Sequence, residues 1–242
     1  MIQKIGIAMS GGVDSTAAAL ILKQQFDIMG FFMNVGQPDF YQQEERVKKL
    51  ADTIGIDLQI IALQESFKER VLDYFSSCYF SGRTPNPCIV CNREIKFGLF
   101  IDVIMQHGLD KAATGHYARV QVIDGEPALL EGIDTRKDQS YFLAGLRAEQ
   151  LERVEFPLGS LQKHDVYKYV SAQGFSFSEE KESQDVCFLK GTSIREFLEN
   201  LPETTSAKGP IETTSGDRIG THSGLFRYTV GQRKGLGLPD TT

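Results

Sequence analysis

Short apolar runs alternate along the chain with stretches in which apolar residues return every three or four positions. Ile5-Gly6-Ile7-Ala8-Met9 reads as a buried strand, and Thr16 to Gln24, with Ala17, Ala18, Ala19, Leu20 and Leu22, as a helix packed against it. Ile28 to Met33 predicts a second strand, followed by the break Gly36-Gln37-Pro38. Tyr41 to Ile54 sets Val47, Leu50, Ala51 and Ile54 at helical spacing among Glu and Lys, closed by Gly55 as C-cap. Leu58 to Leu63 predicts a third strand, Phe67 to Phe80 a helix, and Lys111 to Thr114 a fourth strand. Strands alternating with helices imply the α/β class with a doubly wound parallel sheet, whose ligands sit at the carboxyl ends of the strands.

The second half is less regular. Val120-Gln121-Val122 and Ala128-Leu129-Leu130 flank Asp124-Gly125 as a hairpin. Arg136 to Phe142 reads as a charged loop with an aromatic pair ahead of a helix, and Gln162 to Phe177 as a helix ending in Gly174. After a helix around Phe197-Leu198, the composition changes at Pro202 to Thr, Ser and Gly with short alternating runs. This predicts a domain over residues 1–202 and a small β-rich piece over 203–242.

At 242 residues and 41% hydrophobic, the chain can bury one sizeable α/β core plus a small appendage. No apolar run approaches the roughly 20 residues that span a bilayer, and the first residues form a strand, not a leader, so a cytoplasmic protein is expected. The four cysteines, without a secretion signal, argue against a disulfide framework. The net charge of −6 gives no global footprint for nucleic acid, so any such binding needs a local patch. Arg83, Arg93, Lys96, Arg119, Arg136, Lys137, Arg233 and Lys234 are scattered in sequence; as solvated surface they mean nothing, and converged they would form that patch.

Two motifs carry chemistry. Met9-Ser10-Gly11-Gly12-Val13-Asp14-Ser15 lies between the first strand and the first helix, where backbone N–H groups and the helix dipole favour an anion. It lacks the Gly-Lys-Ser/Thr of a Walker loop and the spacing of dinucleotide folds. It resembles instead the PP-loop of ATP pyrophosphatases; the plainer alternative is an ordinary strand-to-helix turn. The second motif is Pro85-Asn86-Pro87-Cys88-Ile89-Val90-Cys91, a rigid loop feeding a helix. Cys91 near a helix start, beside Arg93 and Lys96, is expected to favour thiolate. A zinc half-site or buried thiols are the alternatives, though no second close pair exists to complete a zinc site. Cys78, among apolar residues, reads as structural. Gly115, beyond the fourth strand, suits close backbone approach to a nucleotide, and His116 is equally a packing residue or a site residue.

Taken together, the residues resemble the tRNA-specific 2-thiouridylases. The resemblance runs from Ile5 to Leu238 through the PP-loop, Gly82-Arg-Thr-Pro-Asn-Pro-Cys-x-x-Cys-Asn, Ile95-Lys-Phe97, Thr114-Gly-His-Tyr117, Lys137-Asp-Gln-Ser-Tyr-Phe-Leu143, Glu182-Ser-Gln-Asp-Val-Cys-Phe188 and Gly231-Gln-Arg-Lys-Gly-Leu-Gly237. It implies ATP-dependent 2-thiolation of a tRNA wobble uridine, by adenylation of O2 followed by sulfur transfer. Ala8, Met9, Ser10, Gly11, Gly12, Val13, Asp14, Ser15, Met33 and Gly115 would bind ATP with Mg2+. Cys187 would carry a persulfide received from a cysteine desulfurase or relay protein, or sulfur would come as free sulfide, and Cys91 would either release sulfide from the persulfide or form a disulfide with Cys187 as sulfur is delivered. Asn86, Pro87 and Cys88 would line the target-base pocket; Lys137, Asp138 and Gln139 would contact the tRNA. The base must leave its stack to react.

Two departures follow from the resemblance. Many members carry Asp where this chain has Cys88, and Cys88, Cys91 and Cys187 resemble the three ligands of iron-sulfur-dependent tRNA thiolases, which implies a 4Fe-4S cluster. Members also continue into a C-terminal β-barrel beyond Leu238, so a shortened chain with weaker tRNA binding is expected. The competing readings are another PP-loop adenylating enzyme with a small-molecule or different tRNA substrate, and a sulfur- or cluster-carrying module that consumes no ATP.

Overall fold

The computed structural model describes residues 2–178, 186–202 and 207–238. The boundary expected near Glu203 and the stretch Glu182 to Asp185 lie outside the described residues.

The apolar runs became a five-stranded parallel sheet in the order β3-β2-β1-β4-β7, from β1 (Lys4–Ala8), β2 (Asp27–Asn34), β3 (Leu58–Ala62), β4 (Lys111–Ala113) and β7 (Val154–Glu155). The register pairs Ile5 with Ile28 and with Lys111, so β1 is central. Helices cover both faces, and neighbouring residues of one strand are divided between them. Phe32 and Ala113 join Ile5 and Ile7 against α1 (Val13–Lys23), α2 (Phe40–Ile54) and α9 (Lys163–Ala172). Phe31 and Ala112 face Phe97, Phe100, Ile101 and Ile104 on the opposite side. This two-sided burial is why the parallel strands read as continuous apolar runs.

That opposite face is built from two long helical stretches. The first runs through α3 (Gln64–Phe67), a π-helical turn at Lys68–Leu72 and α4 (Asp73–Phe80), which buries Cys78. The second runs through α5 (Pro87–Val90), a π-helical stretch Cys91–Phe100 and α6 (Ile101–Gln106). It breaks at Gly98, φ −96° and ψ −106°. The Gln150 amide, from α8 (Ala148–Glu152), donates to the carbonyls of Arg93 at 2.8 Å and Phe97 at 2.9 Å, which satisfies acceptors that the break frees.

The expected hairpin forms as β5 (Ala118–Ile123) and β6 (Glu126–Glu131), with Val120 opposite Leu129. The aromatic pair Tyr141-Phe142 lies inside the single turn α7 (Ser140–Leu143), not ahead of a helix. The helix expected over Gln162 to Phe177 stops at Ala172, and the two-residue strand β7 was not foreseen. Beyond them α10 (Ile194–Glu199) and the antiparallel pair β8 (Gly209–Glu212) and β9 (Arg218–His222) complete the described chain. Phe75, Tyr79, Leu189, Leu198 and Phe226 form a separate apolar cluster there.

Candidate active site

The glycine-rich turn leaves the carboxyl end of β1 and enters α1 as the sequence demands. Met9 donates its N–H to the Phe31 carbonyl at 2.7 Å, which extends the sheet pairing to the mouth of the loop. Gly11 then takes φ +79°, a left-handed conformation that favours glycine. The Ser15 hydroxyl accepts from the Ser10 N–H at 3.1 Å and donates to the Gly12 carbonyl at 3.1 Å, which ties the turn to the first turn of the helix. Gly12 caps α1 without a side-chain acceptor, and the first α1 N–H to find an acceptor at Gly12 is that of Thr16. The amides of Val13, Asp14 and Ser15 therefore lead the helix as donors for an anion. Ala8, Ser10 and Gly12 line this end of the sheet; Met33, on β2, is partly buried and packs into the cores beneath it.

Asp14 is held by residues far away in sequence. Both its carboxylate oxygens accept from the Lys163 ammonium at 2.8 Å, and the Tyr117 hydroxyl donates to Oδ1 at 2.8 Å. Lys163 is 8% exposed, and its Nζ lies 5.5 Å from the Tyr117 ring centroid and 5.2 Å from that of Tyr167. Lys163 opens α9, where a cation opposes the helix dipole, and that mismatch was the one signal in the sequence that could have found it. It is placed by buried Asp134, whose Oδ2 accepts the Lys163 N–H at 2.9 Å. That N–H holds the Asp134 carboxyl below the usual carboxylate range against the opposing effect of burial. Replacing Lys163 with Met strands the Asp14 carboxylate, which is about a third exposed, so a loss of about 1–3 kcal/mol is expected. A urea melt measures it, and an Asp14→Asn, Lys163→Met double variant should lose less than the two singles added together.

Gly115, expected to lie close to a nucleotide, also lies close to the loop backbone. A Cβ there would stand 2.8 Å from the Asp14 carbonyl carbon and 2.9 Å from the Ser15 nitrogen. The next residue, His116, sits between the rings of Phe97 and Phe156, with centroids 5.5 and 6.1 Å away. Burial and then the Lys96 ammonium push its pKa far down, so the imidazole is neutral near pH 7. Lys96 donates to Nε2 at 3.4 Å, which leaves the proton on Nδ1 to be donated to the Thr114 hydroxyl at 2.7 Å.

Lys96 belongs to the helical stretch that carries Cys88 and Cys91. Asn86 begins it, its side-chain oxygen accepting from the Cys88 N–H at 3.1 Å, with buried Pro87 at the first position. Helix therefore starts four residues ahead of Cys91, and the expected dipole-lowered thiol does not arise. Burial pushes Cys91 up to about 12, with Lys96 opposing and the other two thiols adding to the rise. Cys88 and Cys187 are raised by burial as well, again against Lys96. Cys187 opens a short 3-10 turn and keeps an exposed residue surface. Its neighbour Phe188 anchors the turn among Phe67, Phe75 and Phe197. Lys190 pairs with Asp39, at the entrance to α2.

The three cysteines thus lie within electrostatic range of one another and of Lys96. The 4Fe-4S cluster that the resemblance implies finds no support here: among the described residues no three His, Cys, Asp or Glu side chains make a group able to hold a metal ion. The residues expected to touch tRNA are largely engaged in their own loop. Asp138 accepts from the Gly132 and Ser140 N–H groups and the Ser140 hydroxyl, which outweigh burial and hold its carboxyl low. Gln139 exchanges two 2.9 Å hydrogen bonds with the Tyr117 backbone. Lys137 lies on the same loop, its N–H donated to the Asp134 carbonyl at 2.9 Å. No helix among the described residues is long and apolar enough to cross a membrane.

Residues 3–191 match the family model described as tRNA methyl transferase HUP domain, and residues 195–242 the one described as tRNA methyl transferase PRC-barrel domain. The chain is 51% identical over 239 residues to the tRNA-specific 2-thiouridylase MnmA of Desulfotalea psychrophila, covering 98% of this chain and 70% of that protein. It is 43% identical over 244 residues to the same-named protein of Alkaliphilus oremlandii, covering 97% and 66%. With that of Polynucleobacter asymbioticus it shares 44% over 245 residues, covering 98% and 65%. The chain thus spans about two thirds of the length of these curated relatives.

Proposed function

The chain belongs to the tRNA-specific 2-thiouridylase family, and from that premise we propose that it spends ATP to replace the 2-oxygen of a wobble uridine in tRNA with sulfur. One observation carries the reading: the strap Thr114-Gly115-His116 touches the phosphate-type loop through Gly115 and the cysteine-bearing helix through His116 and Lys96. This supports the reading because one short segment links the loop that would take an anion to the helix that carries the thiols.

In this reading the loop amides and the Ser10 and Ser15 hydroxyls hold the β- and γ-phosphates of ATP. The uridine O2 attacks the α-phosphorus, the bond to the β-phosphate oxygen breaks, and pyrophosphate leaves with that electron pair. Uridine O2, now bonded to AMP, has become a leaving group. The terminal sulfur of a Cys187 persulfide attacks C2, and AMP departs with the oxygen. The Cys91 thiolate then attacks the Cys187 sulfur, which frees the thiolated base and leaves a Cys91–Cys187 disulfide for an external dithiol to reduce. Asp14 is the only acidic side chain of the loop and is already shared between Lys163 and Tyr117. Mg2+ therefore fits as a companion of the nucleotide, held mainly by phosphate oxygens, where it would supply charge neutralisation. Asn86, Pro87 and Cys88 take the target base, and residues 203–242 form the separate β-rich piece.

The test is to incubate the protein with ATP, a persulfide-generating desulfurase and transcript tRNA. Pyrophosphate release should depend on tRNA, and the digested tRNA should contain 2-thiouridine by nucleoside mass spectrometry. Pyrophosphate release that ignores tRNA but follows a small carboxylic or amide substrate would instead establish the small-molecule adenylating reading.

A further inference from the structure

Sequence sets two cations beside the thiols, and the structure treats them differently. Arg93 is compensated: its Nε donates to Glu94 Oε1 at 2.7 Å, and Glu94 also takes Arg70 at 3.5 Å. Lys96 has no carboxylate partner among the described residues; its Nζ donates to His116 Nε2 at 3.4 Å. That imidazole carries no charge, being buried against Phe97 and Phe156 with Thr114 taking its other ring proton. Lys96 itself is half-buried, and its field reaches Cys88, Cys91 and Cys187. A partly desolvated ammonium facing a neutral ring and three neutral thiols lacks a counter-anion among the described residues.

We propose that Lys96 is the counter-cation of the sulfur anion in transfer, aimed by His116 so that the perthiolate of Cys187 and the thiolate of Cys91 are held beside the loop where the adenylated base waits. The naming of that anion as sulfur rests on the thiolation reading above. The alternative anion, a nucleotide phosphate, would place Lys96 in the adenylation step instead. His116 acts through Lys96 and is a positioning residue; it is too well packed and too far from protonation to serve as an acid near neutral pH.

The experiment compares Lys96→Met, which keeps the length and loses the charge, with Lys96→Arg, which keeps the charge. Both should release pyrophosphate in the presence of tRNA within about threefold of the parent. Single-turnover sulfur transfer from preloaded persulfide should fall about 100-fold in Lys96→Met and less than about tenfold in Lys96→Arg, the range for losing one group that stabilises developing charge. A second readout needs neither ATP nor tRNA: alkylation of Cys91 and Cys187 by iodoacetamide at pH 7 should slow about tenfold in Lys96→Met and recover in Lys96→Arg. Transfer and alkylation at parent rates in Lys96→Met would overturn the proposal, as would pyrophosphate release falling in step with transfer. If the parent makes no 2-thiouridine yet the alkylation difference persists, the thiolation reading fails while the role of Lys96 toward a thiol anion stands.

Discussion

Gly115→Ala is expected to remove most of the ATP chemistry without touching a group that reacts. The added Cβ would lie 2.8, 2.9 and 3.0 Å from the Asp14 carbonyl carbon, the Ser15 nitrogen and the Asp14 carbonyl oxygen. All three are backbone atoms, so no side chain can rotate away; either the strap or the loop must move. The loop is the softer partner at its amide face, because the first α1 amides make no intrahelical bond, while Asp14 is held on the other side by Lys163 and Tyr117. Overpacking of this kind costs about 1–3 kcal/mol, and a displacement of about 1 Å at a positioned reactant costs on the order of 100-fold in rate. Pyrophosphate release should therefore fall about 100-fold, together with a lowered Tm. Gly12→Ala supplies the contrast. There the new Cβ would meet only the Ser10 hydroxyl, at an ordinary 3.6 Å, so stability should fall by only about 1 kcal/mol, the cost of Ala in place of Gly at the α1 N-cap, while phosphate binding is obstructed. A Gly115→Ala protein with parent activity would mean that the strap does not buttress the loop.

The same contact shows what could be read from the sequence and what could not. The strands β1 and β2 were legible because both faces of a central parallel strand are buried, which leaves an unbroken apolar run, and the edge strand β3 because Leu58, Ile60 and Ile61 are apolar. The glycine-rich turn was legible because its function needs particular backbone, and particular backbone needs particular residues. β7 was not, since two residues, one of them Glu155, carry no periodicity. Lys163 was hard to read for another reason: a cation opening a helix is a weak signal, and its partner Asp14 is 149 residues away. At Gly115 the residue pattern gives a need for space beyond a strand, and the packed chain adds a neighbour that no pattern names, the backbone of Asp14 and Ser15. At Cys91 local rules pointed the wrong way. Arg93 and Lys96 both stand near it in sequence, but Glu94 neutralises the first, the helix begins earlier at Pro87, and burial outweighs what remains. Desolvation is a property of the packed chain, and no local motif encodes it.

That burial shapes the outcome expected for the thiols. Cys187→Ser should abolish thiolation, a loss of at least about 1,000-fold, because a hydroxyl cannot carry a persulfide and no other donor is held in place. Pyrophosphate release should stay within about threefold, since the loop and its supports are untouched. Cys91→Ser should fail differently. The persulfide still attacks the activated base and AMP still leaves, but nothing then cleaves the Cys187–sulfur bond. The tRNA remains joined to Cys187 through a disulfide, visible as a shifted band on a denaturing gel that an added dithiol releases. Cys78→Ala, on the buried side of α4, should leave both steps intact. The pH profile adds a sign. Burial raises Cys91 to about 12 and raises Cys187, so the reactive thiolate of Cys91 is scarce at pH 7 and its fraction grows about tenfold per pH unit below that value. Resolution of the persulfide adduct should therefore accelerate from pH 7 to pH 9 while adenylation does not follow it. A release rate flat across that range would show that binding of tRNA and nucleotide removes the burial penalty before the sulfur moves. A Cys91→Ser protein that turns over without trapped adduct would instead assign the cleavage to an external thiol, and would leave Cys91 without a part in the reaction.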